Sequence, residues 1–299
     1  MPAPLRIGPL RIGPLRIGTR GSPLALAQAR LVSEALRAAH GWDEAAIELV
    51  PITTSGDWIQ DRPLAEVGGK ALWTKELDAC LIDGRTEMSV HSMKDVETIR
   101  PEALAIAATL ERADTRDRLV GAESIAALPQ GARVGTSSPR RTAQLLARRP
   151  DLRCVTIRGN VQTRLAKVDS GEFDATLLAA AGLDRLGIAA GAPLDLLPAP
   201  AQGAIGVEIL ADRDDLRALL GAIDHAPTHE AVDAERAFLA TLGGDCHSAV
   251  AALASGGRLR AEILSADGRE IQAGEGEPAA LARDLLARAS PALRAMFGT

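Results

Sequence analysis

The chain has 299 residues, of which 46% are hydrophobic and 24% charged, so it can form two or three globular domains. A net charge of −5 argues against a general nucleic-acid binder, and no apolar run reaches the roughly 18 residues that a transmembrane helix needs. Three widely spaced cysteines, Cys80, Cys154 and Cys246, make neither a disulfide framework nor a zinc site, and they favour the cytoplasm.

The amino-terminal segment repeats one pentapeptide, PLRIG, over residues 4–18. Gly, Pro and Arg recur in every copy, so no continuous apolar segment forms and a signal peptide is not expected. We predict that only the last copy, Leu15–Gly18, enters the fold as a first strand, and that the earlier copies form a disordered tail.

The segment after the repeat predicts alternating helices and strands. Ser22 is a suitable N-cap and Pro23 a suitable first residue for a helix that runs to about His40. The next predicted elements are the strand Ile47–Thr54, a polar connection over Ser55–Gly69, the helix Lys75–Ile82, and the strand Met88–Val90, which ends at His91-Ser92-Met93-Lys94-Asp95.

A second series of strands and helices follows, and a different pattern begins at about residue 222. The second series comprises the strand Arg133–Gly135, a helix that opens after Thr136-Ser137-Ser138, the strand Arg153–Arg158, a helix from Asn160 to about Asp169, the strand Ala175–Ala179, a Pro/Gly/Ala-rich crossing over Pro198–Gly203, and the strand Ala204–Leu210, which can return to the first series. The last part comprises the helix Glu230–Leu242, a Gly-rich turn around Cys246, a hairpin of Arg258–Leu264 and Glu270–Ala273 around Asp267-Gly268, and a helix over about Pro278–Ala289.

This order of elements predicts an α/β fold with a largely parallel sheet in each of two domains, followed by a smaller α+β domain. Domain 1 is predicted to take residues 1–110 and 204–221, domain 2 residues 111–203, and domain 3 residues 222–299.

Arginines cluster at the turns between strands and helices, where ligands bind in open α/β sheets. They are Arg20, Arg140, Arg141, Arg158, Arg164 and Arg185. Helix N-termini favour anions, and guanidinium groups bind carboxylates in bidentate fashion. The pattern predicts a small molecule with several carboxylates, bound in a cleft between two α/β domains. The alternative is that each arginine is a solvated surface residue.

Lys94 and Asp95 end a strand beside His91. An aspartate at that place, with a lysine adjacent, is suited to holding a cationic or N–H-bearing reaction centre. The alternative is a helix cap next to a surface ion. Cys246 lies in a Gly-rich turn next to His247, which is typical of a reactive thiol, whereas Cys80 and Cys154 fit buried structural positions.

Eight motifs together resemble the porphobilinogen deaminase (hydroxymethylbilane synthase) family, and they occur in the family's order from about Ile17 to the C-terminus. They are Thr19-Arg20-Gly21-Ser22-Pro23-Leu24-Ala25, Val67-Gly68-Gly69-Lys70, Thr74-Lys75-Glu76-Leu77, Val90-His91-Ser92-Met93-Lys94-Asp95, Val134-Gly135-Thr136-Ser137-Ser138-Pro139-Arg140-Arg141, Arg158-Gly159-Asn160-Val161, Ala201-Gln202-Gly203-Ala204 and Glu235-Arg236-Ala237-Phe238.

The resemblance implies a fold, a cofactor and a reaction. It implies two domains like those of a periplasmic solute-binding protein around a cleft, and a small third domain that carries the cofactor. The cofactor is a dipyrromethane joined by a thioether to Cys246. The reaction joins four porphobilinogens head to tail with loss of ammonia, through an electrophilic azafulvene, to give hydroxymethylbilane in tetrapyrrole biosynthesis. The product is expected to pass to uroporphyrinogen-III synthase, and the protein is expected to be a monomer.

The resemblance also implies roles for individual residues. Catalytic roles are expected for Asp95, Lys94 and Arg20. Cofactor binding is expected for Cys246, Lys94, Asp95, Ser138, Arg140 and Arg141. Substrate binding is expected for Arg20, Ser22, Arg158, Arg164, Arg185, Gln202 and Thr136. Residues Ser55–Gly69 are the expected lid, because four additions at one carboxylate require domain and loop motion.

The chain departs from the family pattern around the cofactor cysteine. It has Gly243-Gly244-Asp245-Cys246 where the family usually has Glu-Gly-Gly-Cys, and Ala249 where the family has a proline. Trp73 replaces a usual phenylalanine. The spacing from Glu235-Arg236 to the cysteine is kept, so the assignment of Cys246 is retained.

Two other classes of function are weighed against the enzyme. A solute-binding or effector-sensing module would need the arginines but not Asp95, Cys246 or a third domain. A metal-dependent hydrolase is disfavoured, because no paired ligand motif occurs among His40, His91, His225, His229 and His247. His225 and His229 have helical spacing, but Pro227 lies between them. The intact mass separates the first two classes, since only the enzyme carries a covalent adduct.

Overall fold

The computed structural model describes residues 13–54, 71–243 and 248–297. Its strands, in chain order, are β1 Leu15–Arg20, β2 Ile47–Ile52, β3 Met88–Ser92, β4 Leu104–Thr109, β5 Asp117–Val120, β6 Arg133–Gly135, β7 Arg153–Val155, β8 Ala175–Ala179, β9 Ala192–Leu194, β10 Ile205–Leu210, β11 Ala249–Ser255, β12 Arg258–Leu264 and β13 Ile271–Gly276.

The helices alternate with these strands over most of the chain. They are α1 Pro23–His40, α2 Ala71–Ile82, α3 Pro139–Arg148, α4 Val161–Asp169, α5 Ala180–Arg185, α6 Asp214–Leu220, α7 Ala226–Leu242, α8 Pro278–Arg288 and α9 Pro291–Ala295, with short 3-10 turns at Glu44–Ala46 and Met93–Asp95. No helix in the described ranges combines the length and apolar character that a membrane crossing needs.

The described residues form two compact units. Unit 1 comprises residues 13–54, 71–112 and 204–229, and unit 2 comprises residues 113–203, 230–243 and 248–297. The predicted division into three domains stays a prediction.

Unit 1 is built on a five-stranded sheet with the order β2-β1-β3-β10-β4. Strand β1 is parallel to β2 and β3, whereas β10 is antiparallel to β3 and β4. The core between the sheet and its helices includes Ile17, Leu36, Met88 and Val207, each 0% exposed. Strand β10 reaches this sheet after the chain has passed through unit 2, so no crossover helix forces it to run parallel to β3.

Helix α1 begins and ends where its sequence dictates. The Ser22 hydroxyl accepts the Ala25 N–H at 3.3 Å, and Pro23 is the first helical residue, as predicted. Gly41 ends the helix with φ 68°, a left-handed conformation that glycine adopts without steric cost. The N-cap closely follows β1, so the helix begins at the edge of the sheet where β1 finishes.

Unit 2 contains a second five-stranded sheet, with the order β7-β6-β8-β5-β9. Strand β6 is parallel to β7 and β8, and β5 is antiparallel to β8 and β9. Leu119, Val134, Leu145 and Leu177 are 0% exposed and form its core. Helix α3 follows β6 with Ser138 as its N-cap, and α4 follows β7 with Asn160 as its N-cap, both as predicted.

The C-terminal part of unit 2 is a three-stranded antiparallel sheet, β11-β12-β13, covered by helices. Phe238 of α7, Leu285 of α8 and Phe297 are buried against Ile263 of this sheet. The predicted α/β class with a small C-terminal α+β part is confirmed. In each five-stranded sheet four strands run in one direction and one strand, β10 or β5, is antiparallel to both of its neighbours, so the sheets are largely parallel, as predicted, but not entirely so. Strands β4, β5 and β9 were not predicted.

Candidate active site

The turn after β3 carries Lys94 and Asp95. It is one 3-10 turn, in which the Met93 N–H donates to the Ala204 carbonyl at 3.1 Å and the Val96 N–H donates to the Met93 carbonyl at 3.2 Å. Met93 and Val96 are each 1% exposed, whereas Lys94 and Asp95 are half-buried. The apolar side chains therefore anchor the turn and leave the two charged side chains at the edge of the sheet.

The Asp95 carboxylate makes no hydrogen bond or ion pair with any residue in the described part of the chain. Its two oxygens are therefore able to accept N–H groups from a ligand. An aspartate that capped the following backbone would show such a bond, so the alternative interpretation of Asp95 as a helix cap is not supported.

Arg20 lies at the same edge of the unit 1 sheet as this turn. Strands β1 and β3 are parallel, with Gly18 opposite Ser89, so the carboxyl ends of both strands meet at one edge. Gln28 of α1 contacts the end of β3, because its side-chain amide exchanges hydrogen bonds with the Ser92 hydroxyl at 2.8 and 3.0 Å. The Ser22 hydroxyl caps α1, and its substrate role stays a prediction.

Behind the turn, one guanidinium is surrounded by three carboxylates. Arg100 donates to Glu208 Oε1 at 2.8 Å, to Asp78 Oδ1 at 2.5 Å and to Glu97 Oε2 at 2.6 Å, and His91 Nε2 lies 3.1 Å from Glu208 Oε2. The Glu208 side chain is 0% exposed. Burial alone would raise the pKa of Glu208, but His91 and Arg100 lower it to about 2. We call these five residues the Arg100 cluster.

Arginines of unit 2 meet at one edge of its sheet. Arg140 and Arg141 follow β6, Arg158 follows β7, and Arg185 ends the helix after β8. Since β6, β7 and β8 are parallel, their carboxyl ends face the same way. Ser138 caps α3 by accepting the Arg141 N–H at 3.4 Å. The edge therefore combines guanidinium groups with a helix N-terminus, which favours anions.

Arg140 and Arg141 both contact Asp117 of β5. Arg140 Nη2 lies 2.9 Å from Asp117 Oδ2, and Arg141 Nη2 donates to Asp117 Oδ1 at 2.7 Å. The three residues are 3%, 7% and 0% exposed, respectively. Burial would raise the pKa of Asp117, but the charges of Arg141 and Arg140 hold it well below its usual range. Burial lowers the pKa of Arg140. Two guanidinium groups thus share one carboxylate, which leaves a net positive charge.

Gln202 contacts the same aspartate. Its side-chain amide donates to Asp117 Oδ1 at 2.9 Å and to the Thr115 carbonyl at 2.7 Å. The preceding residue, Ala201, has φ 60°, which is uncommon for a residue with a side chain. Buried Glu235 accepts the Ala201 N–H and thereby holds this backbone. The backbone next to Gln202 is thus held by a carboxylate 34 residues further along the chain.

The other predicted binding residues of unit 2 are less buried or make local contacts. Arg164 Nε donates to the Gly159 carbonyl at 2.9 Å, and Arg185 Nη2 donates to the Gly203 carbonyl at 2.6 Å. Burial lowers the pKa of Arg185 to about 10 and also lowers that of Arg158. The Thr136 hydroxyl accepts the Ser138 N–H at 3.1 Å.

The structure thus brings Arg20, Ser22, Lys94 and Asp95 together in unit 1, and the remaining described site residues together in unit 2. Cys246, the predicted lid Ser55–Gly69, the first PLRIG copies and the Trp73 side chain lie outside the residues described. The predicted cleft between domains stays a prediction.

Sequence reasoning missed the acidic partners of these sites. Asp117 and Glu208 each lie within a buried strand, and Arg100 follows the Asp95 turn without belonging to a motif. A carboxylate within an otherwise apolar strand such as Ile205–Leu210 is itself a signal, because such a group is buried only with a partner. The sequence does not say which cation that partner is.

Comparison with known proteins identifies the family. The model described as "Porphobilinogen deaminase, dipyromethane cofactor binding domain" matches residues 15–218, and that described as "Porphobilinogen deaminase, C-terminal domain" matches residues 229–289. The chain belongs to the porphobilinogen deaminase family. The predicted resemblance is confirmed.

Individual relatives agree with this assignment. A porphobilinogen deaminase of Sphingopyxis alaskensis is 59% identical to this chain, in an alignment that covers 99% of this chain and 97% of the relative's length. A porphobilinogen deaminase of Paracoccus denitrificans is 51% identical, in an alignment that covers 91% of this chain and 87% of the relative's length.

Among solved structures, the methionine binding protein MetQ is similar over 72% of this chain and 92% of the MetQ chain, with 10% sequence identity and a TM-score of 0.45.

The described residues fit the dipyrromethane cofactor of the porphobilinogen deaminase family by their donor chemistry. A dipyrromethane made from two substrate units carries carboxylates, which need cationic donors. Arg140 Nε and Arg141 Nε are buried and have no hydrogen-bond partner in the described part of the chain. Together with the net positive charge around Asp117 and the N-terminus of α3, these N–H groups suit carboxylate ligands.

Proposed function

We infer that this protein is a porphobilinogen deaminase (hydroxymethylbilane synthase, EC 2.5.1.61). It is a transferase that joins four porphobilinogen molecules head to tail, releases ammonia and forms hydroxymethylbilane in tetrapyrrole biosynthesis. The observation that carries this conclusion is the 59% identity to a porphobilinogen deaminase over 99% of the chain. Presentation of the Lys94-Asp95 motif at a sheet edge supports it.

Asp95 is the central catalytic residue in this proposal. Loss of ammonia from porphobilinogen places positive charge on a pyrrole, and a fixed carboxylate nearby stabilises that charge. The half-buried carboxylate of Asp95 has no partner among the described residues, so it is able to accept pyrrole N–H bonds and to assist proton transfer. Lys94 and Arg20 flank this position and bind carboxylates of the substrate.

The cofactor is bound through Cys246 by a thioether. When bound, the dipyrromethane supplies a covalently held primer to which the substrate units are added. In this proposal Ser138, Arg140 and Arg141 would hold its carboxylates at the N-terminus of α3, and Lys94 and Asp95 are further cofactor-binding residues. The donors left open on the two arginines support this arrangement.

Carboxylates of the incoming and growing chain are bound by the remaining arginines and by neighbouring polar groups. The residues in this role are Arg20, Ser22, Thr136, Arg158, Arg164, Arg185 and Gln202. Each porphobilinogen adds one acetate and one propionate, so the growing product accumulates charge that bidentate guanidinium contacts compensate. The meeting of Arg140, Arg158 and Arg185 at one sheet edge supports this proposal.

The setting of the enzyme is proposed from the sequence and from the family. We propose that it acts as a monomer in the cytoplasm and passes hydroxymethylbilane to uroporphyrinogen-III synthase. Sedimentation of the purified chain measures its mass in solution and tests the first part of this proposal.

The test of function combines a product assay with mass spectrometry. Purified protein incubated with porphobilinogen is expected to release four ammonia molecules for each hydroxymethylbilane formed. Peptide mapping of the holoenzyme is expected to find a two-pyrrole adduct on Cys246. A variant with Cys246→Ala is the matched control and is expected to lack both adduct and product. An adduct on Cys80 or Cys154 would refute the attachment site, and a protein with neither adduct nor product would be a binding module instead.

A further inference from the structure

The contacts of Arg100 suggest a role that goes beyond ion pairing, and this inference rests on the proposed function. We propose that Arg100 is a positioning residue, whose guanidinium fixes the Lys94-Asp95 turn to Glu208 of β10 and thereby sets the place of the Asp95 carboxylate.

The Asp95 turn is anchored at two places, to Ala204, which directly precedes β10, and to β10 itself. At the start of the turn, the Met93 N–H bonds to the Ala204 carbonyl, and the Met93 sulfur occupies the space where a Cβ on Gly206 would lie. Five residues after Asp95, the Arg100 side chain returns to Glu208 of the same strand. The turn itself is a single 3-10 turn, closed by the hydrogen bond from the Val96 N–H to the Met93 carbonyl. Its place therefore depends on these anchors.

The second anchor needs a guanidinium in particular. Arg100 Nε and Nη2 bind the two Glu208 oxygens at 2.8 and 3.0 Å, while Nη1 and Nη2 reach Glu97 and Asp78. The guanidinium has five N–H groups in a planar fork, so it binds both oxygens of Glu208 and still reaches Glu97 and Asp78, whereas a lysine ammonium has three N–H groups and cannot make all four of these bonds. Thr74 of α2 adds a contact to Nη1 at 3.4 Å. The fork thus links the turn to α2 as well as to β10.

Charge makes this anchor strong. Arg100 is the cation shared by three carboxylates, of which Glu208 is fully buried. A buried carboxylate that loses its partner destabilises the folded state, because its charge is then uncompensated. Burial raises the pKa of Asp78 despite the nearby Arg100, and the charge of Glu208 adds to that increase. Without Arg100, the carboxylates repel one another at the base of the turn.

The variants that test this role are Arg100→Leu and Arg100→Lys, with Arg16→Leu as the matched control. Arg16 forms a more exposed ion pair, with the single carboxylate of Glu87 at 2.6 Å, in the same unit. It lies near the amino end of β1, at the opposite edge of the sheet from Asp95. Holoenzyme of each variant, with the adduct verified by intact mass, is used for single-turnover elongation of porphobilinogen.

We expect Arg100→Leu to lower kcat roughly 10- to 100-fold while KM changes less than about 3-fold, because a misplaced catalytic group costs rate more than binding. Arg100→Lys, which keeps the charge, is expected to recover part of kcat. Hydrogen exchange of the backbone amides over residues 93–100 is expected to quicken in Arg100→Leu and not in Arg16→Leu.

Equal kcat values for Arg100→Leu and Arg16→Leu, or unchanged exchange over residues 93–100, would overturn the positioning role. If the leucine variant does not fold, the lysine variant decides: a kcat and exchange profile like that of the wild type rejects the role. A wild-type holoenzyme that forms no hydroxymethylbilane would reject the proposed function itself, and the exchange measurement distinguishes that failure because it needs no activity.

Discussion

The described neighbours of Asp95 fix the position of its backbone but do not pair with its carboxylate charge. The buried side chains of Met93 and Val96 hold the turn, and the carboxylate makes no bond with the residues that the structure describes. A preorganised charge of this kind stabilises a developing cation more strongly than water does, because it needs no reorientation during the reaction.

We therefore predict that Asp95→Asn folds normally and loses roughly 10²- to 10³-fold in kcat, the usual cost of removing one preorganised electrostatic group. Asp95→Glu keeps the charge and is expected to retain more activity than the asparagine variant. Single-turnover elongation by holoenzyme already loaded with cofactor is the measurement, so that failed cofactor assembly does not imitate failed catalysis. Near-normal elongation by Asp95→Asn would assign the role to another carboxylate.

Asp117 shows the opposite case, a carboxylate that is fully compensated. We predict that Asp117→Asn lowers the free energy of unfolding by about 3–5 kcal/mol, because it leaves Arg140 and Arg141 buried without a counter-charge. Urea denaturation measures the loss. Asp215→Asn, which breaks an exposed pair with Arg213, is the control and is expected to cost about 0–1 kcal/mol. Equal losses in the two variants would contradict the buried role of Asp117.

The same aspartate gives a pH dependence with a definite sign. The pKa of Asp117 is lower in the folded protein than in the unfolded chain, so its stabilising contribution is present above its unfolded pKa of about 3.9 and is lost as the pH falls below that value. The difference in unfolding free energy between wild type and Asp117→Asn should therefore shrink in acid. A difference that grows below pH 4 would show that the carboxylate is not the group responsible.

At the scale of the elements, β10 packs against the turn that carries Lys94 and Asp95. Gly206 is in this strand because the Met93 sulfur occupies the place of a Cβ atom. We predict that Gly206→Ala costs about 1–3 kcal/mol of stability, the range for overpacking, and also lowers kcat by shifting the turn. Gly21→Ala is a control for stability, since a Cβ there meets no atom within 4 Å. Thermal unfolding that is the same for both variants would reject this explanation.

The sequence predicted the starts of three helices well, for local reasons. Helix starts at Ser22-Pro23, Ser138-Pro139 and Asn160 are marked by caps that act within four residues, so they are readable without the fold. Strands β5 and β9 have four and three residues and depend on their neighbours for hydrogen bonds. Strand direction is likewise set by the chain path and not by composition, which is why the one antiparallel strand of each five-stranded sheet was not predicted.

At the scale of the whole molecule, the chain passes between its two units at about residues 112, 203 and 229. Unit 1 therefore takes β10 from a segment that follows residues 113–203, which contain the five-stranded sheet of unit 2. A core assembled from distant segments relies on non-local contacts, and these are slower to form than helical ones.

The repeated amino terminus gives a prediction at this scale. Deleting residues 4–13 leaves one PLRIG copy, which supplies the residues of β1 from Leu15 onwards. We expect activity and melting temperature to stay nearly unchanged, because the earlier copies duplicate a strand that the sheet needs once. Differential scanning calorimetry and the product assay measure this. A large fall in melting temperature would show that the extra copies stabilise the folded protein.

The sequence by itself determined the family, the α/β class and the main helices, and it supplied the candidate site residues, because motifs and caps are local and act through side-chain type. The tertiary structure alone decided which charges those residues face. It paired Arg140 and Arg141 with Asp117, left Asp95 without a partner among the described residues, and set Arg100 against Glu208 across 108 positions of sequence. Such pairings depend on which strands become neighbours, and strand order is set by burial of the whole core and not by any one segment.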